Sequence, residues 1–324
     1  MKAVICTKYG SPEVLQIREI EKPVPKDNEV LIKIRGAVVG ATDPVFRQGK
    51  PVISRLFTGL TRPGNPVFGD ALAGDIEAAG KSVTQFKQGD RVFGSIHMNT
   101  GAHAEYICLP ENGVLAQKPE NMTYTEAAAV CDGALIALPF LRDKGEIQSG
   151  MKALIYGASG SVGTFAVQIA KYFGAEVTGV CSTSNLEMVK SIGAGRVIDY
   201  TKEDFTKNGE TYDIIFDTVA KSSFSSCKSS LVPNGIYLTT MPTPSVLLRM
   251  LFSSRKNGKR AVFAAIGTIS ISEKVKNLIF LKELIENGKL RPVIDRTYSL
   301  TQIAEAHSYV EKGHKKGNVA LDID

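Results

Sequence analysis

The chain has 324 residues, 43% hydrophobic and 22% charged, with 39 Lys and Arg against 33 Asp and Glu for a net charge of +6. That length allows two domains, and the balance is ordinary for a folded globular protein. The lysines are scattered, with no basic run and no interleaved aromatics, which argues against nucleic acid as a partner. The five cysteines form no C-x-x-C pair, so neither a zinc ribbon nor a disulfide framework is indicated.

The opening, MKAVICTKYG, enters a strand directly and has no signal-peptide core. No apolar stretch approaches the roughly 20 residues of a membrane span, and 246–252 is short and amphipathic. A cytoplasmic protein with no membrane partner is expected. Short strands at 1–6, 29–39, 73–79, 91–95 and 104–108, punctuated by Gly, Pro and Asp, predict an irregular β-barrel. Between them, residues 51–66, with Arg55, Phe57 and Leu60, read either as a flap over a binding cleft or as a plain surface loop. From about Thr125 the pattern changes to alternating helices and strands.

The segment 152–200 carries the strongest signal. An apolar run at 153–156 predicts a buried strand, 157–163 a glycine-bearing turn, 164–173 a helix, and 176–181 a second strand. That is a βαβ unit with a phosphate-binding turn. In the dinucleotide frame the turn is Ala158-Ser159-Gly160-Ser161-Val162-Gly163. Gly160 lets a pyrophosphate approach the backbone, Gly163 lets the helix pack on the strand, and the N–H groups of the first helical turn face the phosphates. An NAD site usually has a carboxylate at the end of the second strand, for the ribose 2′-OH. Here Cys181 is followed by Ser182, Thr183, Ser184 and Asn185, which favours NADP(H); Lys190, Tyr200 and Lys202 lie close enough in sequence to line the same pocket. The same residues also suit a helix cap. Further strands at 196–199, 213–218, 235–241 and 260–266 complete a six-stranded doubly wound sheet. A helix near 273–286 follows, and the chain returns through 290–298, another helix and a strand at 318–323 to the barrel.

The fold class expected is therefore α/β: a Rossmann doubly wound parallel sheet at 125–287, plus a barrel domain from 1–124 and 288–324. This arrangement resembles the medium-chain dehydrogenase/reductase superfamily and its zinc-independent quinone oxidoreductase branch. The resemblance rests on the first 34 residues, on Asp43, Arg47 and Gly49 of a D-x-x-x-R-x-G segment, on GDALAGDIEAAG and FKQGDRVFG, on the GASGSVG turn, and on the closing KKGNVALDI. It covers essentially the whole chain and implies a GroES-like barrel.

Zinc alcohol dehydrogenases of the superfamily carry a cysteine at the position of Gly40 and His-Glu at those of Asp70 and Ala71. They also carry a four-cysteine loop that this chain lacks. No metal is therefore expected, since a catalytic zinc needs three protein ligands. The resemblance implies a reductase delivering hydride from NADPH to a small electrophilic acceptor, a quinone or an α,β-unsaturated carbonyl, in a homodimer. It adds Thr218, Met241 and Asn318 to the cofactor contacts, and Thr42 and Phe46 to the acceptor side of the cleft. Quinone reductases of the branch usually have Asn at Gly40, Tyr at Phe46 and Thr at Ile136. Those three departures predict an apolar pocket without a dedicated proton donor, and no catalytic residue is assigned. A structural Asp43–Arg47 ion pair is expected. Two other readings stay open: an enoyl-thioester reductase, against which Phe46 argues, and a non-catalytic NADPH-binding sensor or structural protein.

Overall fold

A computed structural model describes residues 1–96, 101–241, 258–263 and 269–323, without the side chains of Ile53 and Phe57. The segment 246–252, His97 and the expected strand residues 264–266 lie outside the described residues. The chain divides into two compact units: Met1–Asp132 with Ile269–Gly288 and Pro292–Asp324, and Gly133–Thr268 with Lys289–Arg291.

In the first unit a seven-stranded sheet runs in the order β14-β15-β3-β4-β5-β7, with β6 pairing β3. Its strands are β3 (Glu29–Val38), β4 (Ala71–Ala79), β5 (Arg91–Ser95), β6 (Tyr106–Pro110), β7 (Val114–Gln117), β14 (Ile294–Ser299) and β15 (Asn318–Asp322). The pairings are antiparallel except β14 with β15. A separate hairpin joins β1 (Lys2–Cys6) to β2 (Leu15–Glu19). Alternating side chains of β3 and β4, among them Ile32, Ile34, Leu72 and Ile76, fill the core with Val92, Leu115, Val319 and Leu321. Inward alternation of this kind is what one-sided burial of a sheet requires.

The helix Ile271–Glu286 was expected with the second domain but belongs to the first unit. Its apolar stripe, Leu278, Leu281, Leu284 and Ile285, is buried, and Asn121 donates to the Ile285 carbonyl at 3.0 Å. The stripe therefore finds its partner next to β7 rather than over the parallel sheet.

The second unit holds six parallel strands in the order β10-β9-β8-β11-β12-β13. They are β8 (Lys152–Tyr156), β9 (Glu176–Cys181), β10 (Arg196–Asp199), β11 (Tyr212–Asp217), β12 (Leu231–Thr239) and β13 (Arg260–Phe263). Numbered within the unit this order is 3-2-1-4-5-6, with the change of direction between β8 and β11, where a doubly wound sheet binds its ligand. The helix Ser161–Tyr172 buries Phe165, Ala166, Val167, Ile169 and Ala170.

One apolar helical stretch was passed over in the sequence. Tyr124–Lys144 is 21 residues long and holds an 18-residue window of mean hydropathy 1.3, long and apolar enough to cross a membrane, but 72% of that window is buried inside the protein. Burial on that scale marks a core helix.

Candidate functional site

The turn after β8 has the geometry of a phosphate cradle. The N–H groups of Gly157 and Ala158 both donate to the Val180 carbonyl at 3.0 Å, which ties the turn to β9. Gly160 is the N-cap of the helix Ser161–Tyr172. A Cβ on Gly163 would lie 2.0 Å from the Gly157 carbonyl oxygen, so no side chain fits there. A Cβ on Gly160 would meet nothing nearer than the Gly157 oxygen at 3.5 Å, an ordinary contact. Packing within the protein does not demand glycine at 160, and its absent side chain leaves the backbone there open to close approach. The first helical turn leaves N–H groups without intrahelical acceptors, and these suit a pyrophosphate. Ser159, Gly160, Ser161 and Val162 are half-buried around this turn, and Gly163 is buried.

At the end of β9, Cys181 is buried and Ser182, Thr183 and Ser184 follow in a short turn. Asn185 donates to Ser182 Oγ at 3.1 Å. The Thr183 hydroxyl donates to Asp199 Oδ2 at 2.5 Å, and Thr201 donates to Asp199 Oδ1 through both its N–H, at 3.0 Å, and its hydroxyl, at 2.7 Å. Asp199, at the end of β10, was missed by reading only the terminus of β9. The bond from Thr183, then those from Thr201 and the charge of Lys202, hold its carboxyl below the usual range, so it is an anion at neutral pH. Tyr200 is half exposed, and its N–H donates to the Cys181 carbonyl. Thr218, just past β11, gives its hydroxyl to the Tyr156 carbonyl at 2.9 Å. Met241 is exposed. These residues share the second unit. Asn318 stands in the first, buried at the start of β15, with its amide donating to the Val293 carbonyl at 3.2 Å.

In the first unit, Thr42 is exposed at the start of the helix Thr42–Gln48, and Phe46 packs against the barrel core. The expected Asp43–Arg47 pair does not form. Asp43 is buried and accepts from the Gly40 N–H at 2.8 Å. Arg47, also buried, reaches Glu311 Oε2 at 2.7 Å instead, because its position on the helix faces 303–311 rather than the preceding turn. Arg55 of the 51–66 segment stacks over the Tyr9 ring at 4.7 Å and donates to the Gly49 carbonyl at 3.0 Å, while Leu60 is exposed.

The environment of Gly40 is not apolar. A Cβ there would meet Asp132 Oδ1 at 3.2 Å, Asp43 Oδ2 at 3.7 Å and Thr42 Oγ1 at 3.8 Å. Burial pushes the Asp43 carboxyl up to about 8 against the pull of the Gly40 N–H; the charges of Asp132 and Asp70 add to the rise and Lys315 opposes it. Burial pushes the Lys315 ammonium below its ordinary value, with Asp132, Asp295 and Asp43 pulling the other way. The signal for Asp132 was a lone acid in the apolar helical run AAAVCDGALIALP.

A doubly wound sheet with a phosphate turn, on a chain that also folds a mostly antiparallel seven-stranded sheet, is an architecture suited to a dinucleotide-dependent enzyme. Residues 26–120 match the family described as alcohol dehydrogenase GroES-like domain, and residues 192–321 that described as zinc-binding dehydrogenase. Mouse NAD(P)H oxidoreductase RTN4IP1, mitochondrial, is 30% identical over all of this chain and 89% of its own. The 2-methylene-furan-3-one reductase of Solanum lycopersicum is 33% identical over 99% of this chain and 79% of its own. The solved quinone oxidoreductase of Coxiella burnetii superposes with a TM-score of 0.88 at 26% identity, covering 100% of this chain and 99% of that one. The chain belongs to the medium-chain dehydrogenase/reductase superfamily, with quinone oxidoreductase-like relatives. It is an NAD(P)H-dependent oxidoreductase with a GroES-like domain and a Rossmann-like sheet. The second family description implies a metal that the residues do not fit: among the described residues no group of three His, Cys, Asp or Glu could hold one.

Proposed function

We propose that the protein is an NADPH-dependent, zinc-independent reductase of quinones or α,β-unsaturated carbonyls. The observation that carries the reading is Gly160 at the N-cap of the helix Ser161–Tyr172, where a Cβ would meet only an ordinary contact, so that the fold itself does not require glycine there. A bound reduced nicotinamide supplies hydride. The turn 159–163 holds its phosphates, and Thr218 and Met241 belong to the nicotinamide half of the same unit. Acceptors already made electrophilic by conjugation need no Lewis acid, which suits the donor set around Gly40. A furanone reductase and a quinone oxidoreductase among similar proteins support that acceptor class.

NADPH over NADH rests on Ser182, Ser184, Tyr200 and Lys202 around the ribose position. The charge of Asp199 is tempered there by two threonines and by Lys202 at 3.8 Å. Among the described residues β13 is the edge of the parallel sheet, and pairing of that edge would form the proposed homodimer and remove an open strand. The cytoplasm is the proposed location, although one relative is named as mitochondrial.

The test is initial-rate oxidation of NADPH and NADH by metal-stripped protein with a naphthoquinone, a benzoquinone, a short enal and a cyclic enone. Turnover with NADPH on at least one acceptor is expected, with NADH slower. Tight NADPH binding without turnover on any of them would replace the reading by a binding role.

A further inference from the structure

The end of β9 is where a doubly wound sheet sets the acid that accepts from a ribose 2′-OH. Here that residue is Cys181, and the carboxylate beside it lies one strand over. β10 pairs with β9 in parallel register, with Asp199 opposite Cys181. The Asp199 side chain is 9% exposed, and both of its oxygens are engaged. Oδ2 accepts from the Thr183 hydroxyl at 2.5 Å, and Oδ1 accepts from the Thr201 N–H at 3.0 Å and the Thr201 hydroxyl at 2.7 Å. A hydroxyl has one proton and two lone pairs. The carboxylate takes the proton of each threonine, so what Thr183 turns outward is acceptor only. Thr183 Oγ1 and Thr201 Oγ1 stand 3.2 Å apart, which makes them one patch of acceptor oxygens. Thr183 is exposed, and Asp199 is buried behind it.

We propose that Asp199 is a positioning residue for nucleotide selection: it holds the Thr183 hydroxyl as an acceptor, which takes a hydrogen bond from an unmodified ribose 2′-OH and opposes a 2′-phosphate. The inference rests on the dinucleotide reading of the turn 159–163. A ribose 2′-OH has a proton to give. A phosphate in its place brings acceptor oxygens and negative charge, and it meets acceptor hydroxyls backed by an anion. Ser182, Ser184 and the Lys202 ammonium pull the other way; the Lys202 side chain is 70% exposed, 3.8 Å from Asp199 Oδ2. The two sets of groups oppose each other at the ribose, with Asp199 on the NADH side. The preference for NADPH is therefore narrower than a β9 terminus without an acid implies. Asp199 acts through Thr183 and not by its own oxygens, which are already filled by the two threonines.

The experiment compares the full chain with Asp199→Asn, Thr183→Val and a control, Asp204→Asn, which makes the same exchange at a carboxylate that caps the short helix Phe205–Lys207. Dissociation constants are measured for NADH and NADPH by nicotinamide fluorescence, and for 5′-AMP and 2′,5′-ADP by calorimetry. The last two report the adenosine end alone. In Asp199→Asn the amide keeps the shape of the carboxylate. Its carbonyl stays with the two Thr201 donors, so its NH2 faces Thr183 and the hydroxyl proton turns outward. The ratio of the NADH to the NADPH dissociation constant should rise roughly ten- to a hundredfold, the range of one hydrogen bond to a charged group. 2′,5′-ADP should gain on 5′-AMP by a similar factor. Thr183→Val should weaken NADH roughly three- to tenfold, the range of a neutral hydrogen bond, and leave NADPH no weaker. Asp204→Asn should keep both ratios of the parent. A role in folding alone would weaken both members of each pair equally. Unchanged ratios in Asp199→Asn would therefore overturn the inference while the parent's binding of both cofactors left the dinucleotide reading standing. A parent that binds none of the four ligands would sink that reading, and the inference with it.

Discussion

Two glycines three residues apart have different duties, and single substitutions separate them. Gly163→Ala puts a methyl 2.0 Å from the Gly157 oxygen, so helix and turn must separate; overpacking of that kind costs about 1–3 kcal/mol. Gly160→Ala meets only an ordinary contact and should leave stability within about 0.5 kcal/mol of the parent, while NADPH binds at least tenfold more weakly. Denaturant melts and fluorescence titration read the two effects, and equal stability losses would refute the distinction. The paired histidines of the barrel make a second residue-scale case. Burial, then the charges of His103 and Arg47, push His307 down to about 2; burial pushes His103 down to about 4 against its bond to the Val38 carbonyl. In the unfolded chain both titrate near 6.5. Their folded values lie lower, so the stability they contribute is present above about 6.5 and is lost as pH falls toward 4. His307→Leu should therefore lose less stability between pH 7 and 5 than the parent does, as measured by urea midpoints at both pH values. An identical slope would contradict the assignment.

At the scale of elements, β8 was legible because it is an apolar run leading into the helix Ser161–Tyr172, whose apolar residues recur with a period of 3.6. The turn after β8 was legible because its glycines sit between a strand and a helix. The helix Ile271–Glu286 was legible as a helix, but its unit was not, since an apolar stripe does not name what it packs against. Its start is set by Ser270, whose hydroxyl accepts from the Glu273 N–H at 3.2 Å. Leu281→Ala on the buried stripe should cost about 2–5 kcal/mol. Ile279→Ala on the face that is 46% exposed should cost under about 0.5 kcal/mol. Urea denaturation of the two variants checks it, and comparable losses would show that the stripe is wrongly assigned. The partners of Arg47 and Asp43 were not legible, because Glu311 lies 264 residues from Arg47 and only the folded chain brings it there.

At the scale of the whole molecule, family, fold and cofactor class could all be read from one chain, while the polar chemistry of the barrel unit could not. Gly40, Phe46 and Ile136 read together in the sequence as lost polarity. Asp132, far from Gly40 in sequence, brings a carboxylate oxygen within 3.2 Å of the point a Cβ at residue 40 would occupy, and only the folded chain shows it. The ribose end shows the same effect: the strand terminus at Cys181 carries no acid, yet Asp199 on the adjacent strand reaches its threonine. The central claim is that the protein transfers hydride to a conjugated acceptor and does not merely bind the nucleotide. The most direct measurement uses NADPH carrying deuterium at the nicotinamide C4, in each of its two configurations, with mass spectrometry of the reduced acceptor. One deuterium per product molecule from one configuration is the predicted result. Bound cofactor with no deuterium in any acceptor would contradict it.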